Sequence, residues 1–247
     1  MRNELMNMKN GLITPFTMNS EYLNRAVKLG IYFPEEYSPF VQHTLFICFD
    51  GQDLSQIGRI HRKYETLKDD LNNPAVFLFI HYNNIDERKD EYHPEGIHRE
   101  KFQKFVAEEL LDYIQDTFNF SRDKNNTIVI GDSLAASISL TLAIEYPDLT
   151  SKCCLFSPMI TDKINNQINN LSQERKSELN LYLVVGKEED HFKLLTGDYA
   201  DFLNPIRQLH QVLIENNISH YYAELDGGHT WKTWHTEIDK CLNYYLI

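Results

Sequence analysis

The chain is short of paired cysteines, of long apolar runs and of positive charge, and each shortage removes a class of protein. Cys48, Cys153, Cys154 and Cys241 are the four cysteines of 247 residues, and none forms a C-x-x-C pair. Three lie in apolar runs and read as reduced core thiols, not as a disulfide framework or a zinc site. No stretch approaches the roughly 18 consecutive apolar residues of a membrane helix, and Met1–Asn10 lacks the apolar centre of a secretory signal. Lys and Arg number 24 against 36 Asp and Glu, a net charge of −12. That balance argues against a nucleic-acid partner, which needs clustered cations to neutralise phosphates, and against an anionic membrane surface. The phosphate-cradling G-x-x-x-x-G-K-[ST], the dinucleotide-binding G-x-G-x-x-G and the zinc-binding H-E-x-x-H are all missing. The expectation is a cytoplasmic protein that needs no metal and no cofactor, in which the sequons at Asn125, Asn170 and Asn217 are incidental.

What is there fits one globular domain spanning residues 1–247: 42% hydrophobic and 24% charged residues with no repeat or linker. Apolar runs alternate with helical patterns. Thr44–Phe49, Pro74–Ile80, Thr127–Ile130, Lys152–Phe156, Leu181–Val185 and Tyr221–Leu225 read as strands, the first two as strands buried on both faces. Leu23–Pro34 alternates loosely and reads as an antiparallel edge strand stopped by its proline. Helices are expected over about 99–118, from the Thr127 strand to Glu145, over 205–216 and over 233–245, with 162–178 an exposed helix or loop. Strands bridged by helices predict an α/β fold with a mostly parallel sheet covered on both faces.

One stretch carries chemistry. Gly131-Asp132-Ser133-Leu134-Ala135 stands between a β-branched run and a helical pattern. That is the layout of a nucleophile elbow, a strained strand-to-helix turn that exposes one serine above the sheet and needs small residues on either side. The following helix aims its first N–H groups where an oxyanion would develop. An elbow serine requires a base, an orienting carboxylate and an oxyanion hole, and reacting groups in a parallel sheet gather past the strand ends. In chain order the residues placed there are Asp50-Gly51-Gln52, Ser133, Glu188-Glu189-Asp190 and His229. His229 follows Gly227-Gly228 and is the candidate base, with Trp231 a candidate wall. Glu189 is the chosen acid, with Asp190 the alternative. Leu134 and Gln52 are the chosen oxyanion donors through their backbone N–H groups. His43 and His81 read as ordinary imidazoles.

In order along about residues 10–245, Phe49-Asp50-Gly51-Gln52-Asp53, Arg88 with Glu91-Tyr92, the elbow, Tyr146-Pro147-Asp148, Phe156-Ser157-Pro158, Gly186 with Glu189, and Gly227-Gly228-His229-Thr230-Trp231 with Trp234 resemble the Putative esterase family of α/β-hydrolases. That family includes enterochelin-type, feruloyl and S-formylglutathione esterases. The resemblance implies an α/β-hydrolase fold and hydrolysis of small carboxylic esters or thioesters through an acyl-enzyme. It casts Ser133 as nucleophile, His229 as base, Glu189 as acid, and Gln52 and Leu134 as oxyanion donors. Arg88 matches a family position near the site. The chain departs from the family at Ala135-Ala136, where glycines are usual, a change expected to crowd the elbow or narrow the acyl pocket. An acyltransferase and a non-catalytic binding protein on the same scaffold are the rival readings. The loops at 83–100, 158–178 and 190–204 are expected to set specificity.

Overall fold

The computed structural model describes residues 9–118, 120, 123–193 and 197–247. The reading of the N-terminal stretch therefore falls, for residues 1–8, outside the described residues, as does that of the 190–204 loop for residues 194–196. Apolar runs become the centre of one sheet because both of their faces can be covered. The eight strands are β1 (Ile13–Ser20), β2 (Arg25–Tyr32), β3 (Thr44–Cys48), β4 (Ala75–Ile80), β5 (Thr127–Asp132), β6 (Lys152–Phe156), β7 (Asn180–Gly186) and β10 (Ser219–Leu225); β8 (Phe192–Lys193) and β9 (Tyr199–Ala200) form a separate small hairpin. The sheet order is β1-β2-β4-β3-β5-β6-β7-β10. Only β2 opposes the common direction, pairing antiparallel with both β1 and β4.

Two corrections to the sequence reading concern this end of the sheet. The Leu23–Pro34 strand is not an edge: Val27, Leu29 and Ile31 are buried, and β1 takes the edge beside it. The β1 stretch carries Pro15 and alternates polar with apolar residues, as an outer strand does. Its partly exposed pattern hid it from a search for buried runs.

Helices cover both faces. They are α1 (Gly51–Gln56), α2 (Ile60–Leu67), α3 (Ile85–Tyr92), α4 (Arg99–Lys104, continuing through a π-helical segment Phe105–Leu110 to Leu111–Phe118), α5 (Leu134–Glu145), α6 (Asp162–Asn169), α7 (Gln173–Glu178), α8 (Leu203–Glu215), α9 (Trp231–Trp234) and α10 (Ile238–Leu246). The pleat sends Leu45, Ile47 and Val129 to one face, against α4, α5, α6 and α8, and Phe46, Cys48 and Ile130 to the other, against α2 and α10. At about 1.5–3 kcal/mol per fully buried large apolar side chain, these two interiors dominate the stability of the fold. All four cysteines are free and buried. The α5 helix is buried along nearly its whole length, so it has no charged face, and its buried hydroxyls Ser137, Ser139 and Thr141 bond to backbone carbonyls of the same helix or its cap. Among the described residues, no helix is long and apolar enough to cross a membrane.

Candidate active site

Three neighbouring parallel strands end in non-glycine residues with positive φ: Asp50 after β3, Ser133 after β5 and Ser157 after β6 (φ 49°, 54° and 50°). Backbone strain concentrated at adjacent strand tips marks a place where geometry is imposed for a purpose other than stability. At the elbow, Ser133 donates its N–H to the Phe156 carbonyl at 2.8 Å, which pins the turn to β6. Gly131 is required here, because a Cβ added to it would collide with the Ala135 backbone.

The strand pair β7–β10 brings the other groups in. Leu225 pairs with Gly186, and the Glu188 N–H donates to the Gly227 carbonyl at 3.0 Å, so the two loops leave the sheet together. Gly186 permits this closeness, since a Cβ there would strike the Gly227 carbonyl and the Glu189 carboxylate. The Nε2 of His229 lies 2.9 Å from Ser133 Oγ, and its Nδ1 lies 2.7 Å from Glu189 Oε2. Of the three consecutive acids, Glu189 is fully buried while Glu188 and Asp190 are exposed. The carboxylate brought to the histidine is therefore Glu189, not Asp190. A carboxylate can only accept, so Nδ1 carries the ring proton and Nε2 is left free to accept from the serine hydroxyl.

Glu189 is held from behind as well. Its Oε1 accepts the Gly186 N–H at 2.8 Å and the Ser157 hydroxyl at 2.7 Å. Ser157 in turn accepts the indole N–H of Trp234 at 2.9 Å. The imidazole is enclosed by rings: Phe202 stacks on it with centroids 4.1 Å apart, Phe192 lies at 4.8 Å, and Trp234 meets it edge-on at 4.9 Å. The ring touching His229 is thus Trp234. Trp231, the expected wall, packs edge-on against Trp234 and over Gly58. Sequence reasoning missed the role of Ser157; its signal, Phe156-Ser157-Pro158 at a strand end, was visible but carried no chemistry by itself.

On the other side of Ser133, Asp50 opens α1 and places Gln52 in its first turn. The N–H groups of Gln52 and Leu134 start helices at the tips of the paired strands β3 and β5, and neither has a hydrogen-bond partner among the described residues. The Gln52 side chain is fixed separately, its Oε1 accepting from His81 Nδ1 at 3.2 Å and its Nε2 donating to the Tyr82 carbonyl at 3.5 Å. Arg88, on α3, grips Asp50 with Nε at 2.9 and 2.8 Å from the two carboxylate oxygens and a further bond from the guanidinium terminus. The segment expected to be a specificity loop at 83–100 therefore contains a helix, Ile85–Tyr92, that braces the turn before Gln52. Burial pushes Asp50 above the usual carboxylate range even with the Arg88 guanidinium opposing. Asp132 is raised much further, by burial and then by the Asp50 charge, and its Oδ1 has no partner. Burial and the neighbouring Asp50 raise Asp53 to about 6. No group of three or more His, Cys, Asp or Glu able to hold a metal occurs among the described residues.

An eight-stranded, mostly parallel sheet flanked by helices, with a strained serine at the tip of a central strand, defines an α/β-hydrolase. Within that class the chain belongs to the Putative esterase family, whose family model matches residues 20–245. The uncharacterized protein YjcH of Bacillus subtilis (strain 168) is 31% identical over 241 residues, covering 96% of this chain and 99% of that one. Among solved structures, the enterobactin esterase FES of Shigella flexneri superposes with a TM-score of 0.78 at 18% identity, covering 96% of this chain and 59% of its own. A ferulic acid esterase gives 0.76 at 13% identity over 97% and 99% of the two chains. The BES protein of Bacillus cereus gives 0.77 at 17% identity over 98% of both. This chain is thus shorter than two thirds of the Shigella enzyme, while it matches YjcH and BES nearly end to end.

Proposed function

We propose that the chain is a serine esterase that hydrolyses small carboxylic esters or thioesters through an acyl-enzyme. The observation that carries this reading is the continuous chain of short hydrogen bonds from Ser133 through His229 to buried Glu189. His229 Nε2 takes the Ser133 hydroxyl proton as Oγ attacks the ester carbonyl, and Glu189 stabilises the imidazolium that results. The oxyanion rests on the N–H groups of Gln52 and Leu134, which need no reorganisation to receive it. Collapse expels the alcohol or thiol, which takes the proton from His229. Water then attacks the acyl-serine, with the same imidazole as base, and releases the acid. No step needs a metal or an organic cofactor. A cytoplasmic location and a single-domain enzyme fit this reading.

The test is Ser133→Ala assayed with p-nitrophenyl acetate and butyrate. Hydrolysis should fall by roughly 10⁴- to 10⁶-fold while the circular dichroism and melting temperature stay close to those of the parent. A fluorophosphonate should label the parent at Ser133 and leave the variant unlabelled. Undiminished hydrolysis in Ser133→Ala would defeat the assignment.

A further inference from the structure

Most of the described arginines of this acidic chain are neutralised. Among the described residues, Arg25, Arg88, Arg99, Arg175 and Arg207 each meet a carboxylate. Arg59 and Arg62 meet none, and both line one groove of about 500 Å³ whose wall also includes Ser55, Gln56, His61 and His81 and contains no Asp or Glu. Their placement is costly for the fold. They stand three residues apart at the start of α2, where like charges repel and the helix dipole disfavours cations, and the first turn of α2 offers no acid to compensate. Arg59 also adopts φ 51°, which a non-glycine side chain takes at a price in strain. On the same wall, Nδ1 of His61 is buried without a partner. Past His81 an adjoining hollow of about 440 Å³ adds Lys28.

The groove is tied to the proposed site by His81, which lines it and bonds the side chain of Gln52. His81 stands just past β4, two strands from β5 in the sheet, so at the usual strand spacing the groove begins about 10 Å from the elbow. Burial keeps both imidazoles less basic than usual, so the positive charge of the groove belongs to the guanidiniums and Lys28.

We propose that this groove binds an anionic group, a carboxylate or a phosphate, carried by the ester substrate at a distance from the bond that is cleaved. The proposal rests on the esterase reading and adds to it the charge of the substrate. Guanidiniums suit the task because their planar donors match the oxygens of such anions in pairs.

The test compares kcat/KM for mono-p-nitrophenyl sebacate, which has a free carboxylate at the far end of its acyl chain, with that for its neutral methyl ester. A second pair places the carboxylate on the phenol. In at least one pair the parent should favour the anionic member by about tenfold, as a charge-assisted contact would give, and high salt should reduce the preference. Arg59→Gln combined with Arg62→Gln should erase it while leaving p-nitrophenyl acetate hydrolysis unchanged. Equal rates in both pairs, or a preference that survives the double variant, would overturn the proposal. Should the parent hydrolyse no ester, the esterase reading fails, and the groove is judged by calorimetry with sebacate dianion. Binding that is lost in the double variant supports the anion site, and binding that is absent from the parent or unchanged in the variant refutes it.

Discussion

Ser157 is the most informative residue to change, because it touches Glu189 and is itself fully buried, out of reach of any substrate. Removing its hydroxyl takes from a buried carboxylate one of two hydrogen bonds on Oε1, a contact of the charge-assisted kind, about 1.5–3 kcal/mol. It also orphans the indole N–H of Trp234, which adds about 1–3 kcal/mol. A stability loss near the middle of that range, about 4 kcal/mol, would lower the melting temperature by roughly 8–16 °C in a chain of this size. The catalytic effect comes from orientation. With Oε1 held only by the Gly186 N–H, the carboxylate can swing away from Nδ1, and a loss of about 1.4–2.7 kcal/mol in the transition state lowers kcat by about ten- to a hundredfold. KM should stay within about twofold, since a residue that meets no substrate removes no uniform binding. Ser157 has φ 50°, so alanine keeps the backbone strain and glycine relieves it. Comparing Ser157→Ala with Ser157→Gly therefore separates hydroxyl from backbone: both should lose the same factor in kcat, with the glycine variant the more stable. Trp234→Phe, which keeps a ring beside His229 but removes the N–H, should cost about threefold or less in kcat. A Ser157→Gly protein that folds and turns over p-nitrophenyl acetate at the parental kcat would refute the reasoning.

The other predictions concern the groups around this centre. Arg88→Gln strands Asp50, which is 1% exposed, and should destabilise the fold by about 3–5 kcal/mol in urea titration; Arg88→Lys should recover little, because an ammonium cannot reproduce the two-pronged grip. Asp53, raised from 3.8 to about 6 in the folded state, binds its proton more tightly folded than unfolded, so it detracts from stability as pH climbs from about 4 to 6 and by a constant amount above that. The Tm of Asp53→Asn relative to the parent should accordingly rise across that window and level off at neutral pH; a difference independent of pH would refute the assignment. Ala135→Gly removes one buried methyl and weakens the start of α5, for a loss of about 1–2 kcal/mol, with no change in the ratio of acetyl to butyryl ester hydrolysis.

How far the sequence reveals this fold depends on what each element packs against. The central strands are legible because burial on both faces demands continuous apolar runs, as in Ala75–Ile80. The short helices α1 and α3 are not, because their residues are chosen by neighbours and not by periodicity, while α2 does carry an apolar stripe, with Ile60 and Tyr64 buried one turn apart, but in too few residues to stand out. Gly51 lies in α1 where a Cβ would meet Phe79, and α3 carries a mostly charged sequence whose purpose is to deliver Arg88 to Asp50. The π-helical segment inside α4 was equally invisible. There Glu109 accepts from Ser20 Oγ and from the N–H groups of Glu21 and Tyr22, holding the β1–β2 turn, and such a contact between segments so distant in sequence leaves no periodic trace.

The candidate site shows the same division. Ser133 and His229 are legible as candidates because chemistry constrains both residue type and position after a strand, whereas chain order leaves the acid open between Glu189 and Asp190, and only the burial of Glu189 separates the two. Ser157 and Trp234 are not legible, since a serine and an indole have many ordinary uses and only the fold brings them behind Glu189. Of the two consequences expected from Ala135-Ala136, a crowded elbow and a narrowed acyl pocket, the burial of both residues favours the first. Both side chains are fully buried in the core cluster that packs behind the elbow, where Gly131 leaves room for them. Their methyl groups therefore fill the interior and do not face a substrate. A change from glycine at these positions tightens the base on which Ser133 is mounted, and of the three rings around His229 only Phe192 is partly exposed, so it is the one placed to shape what approaches the serine.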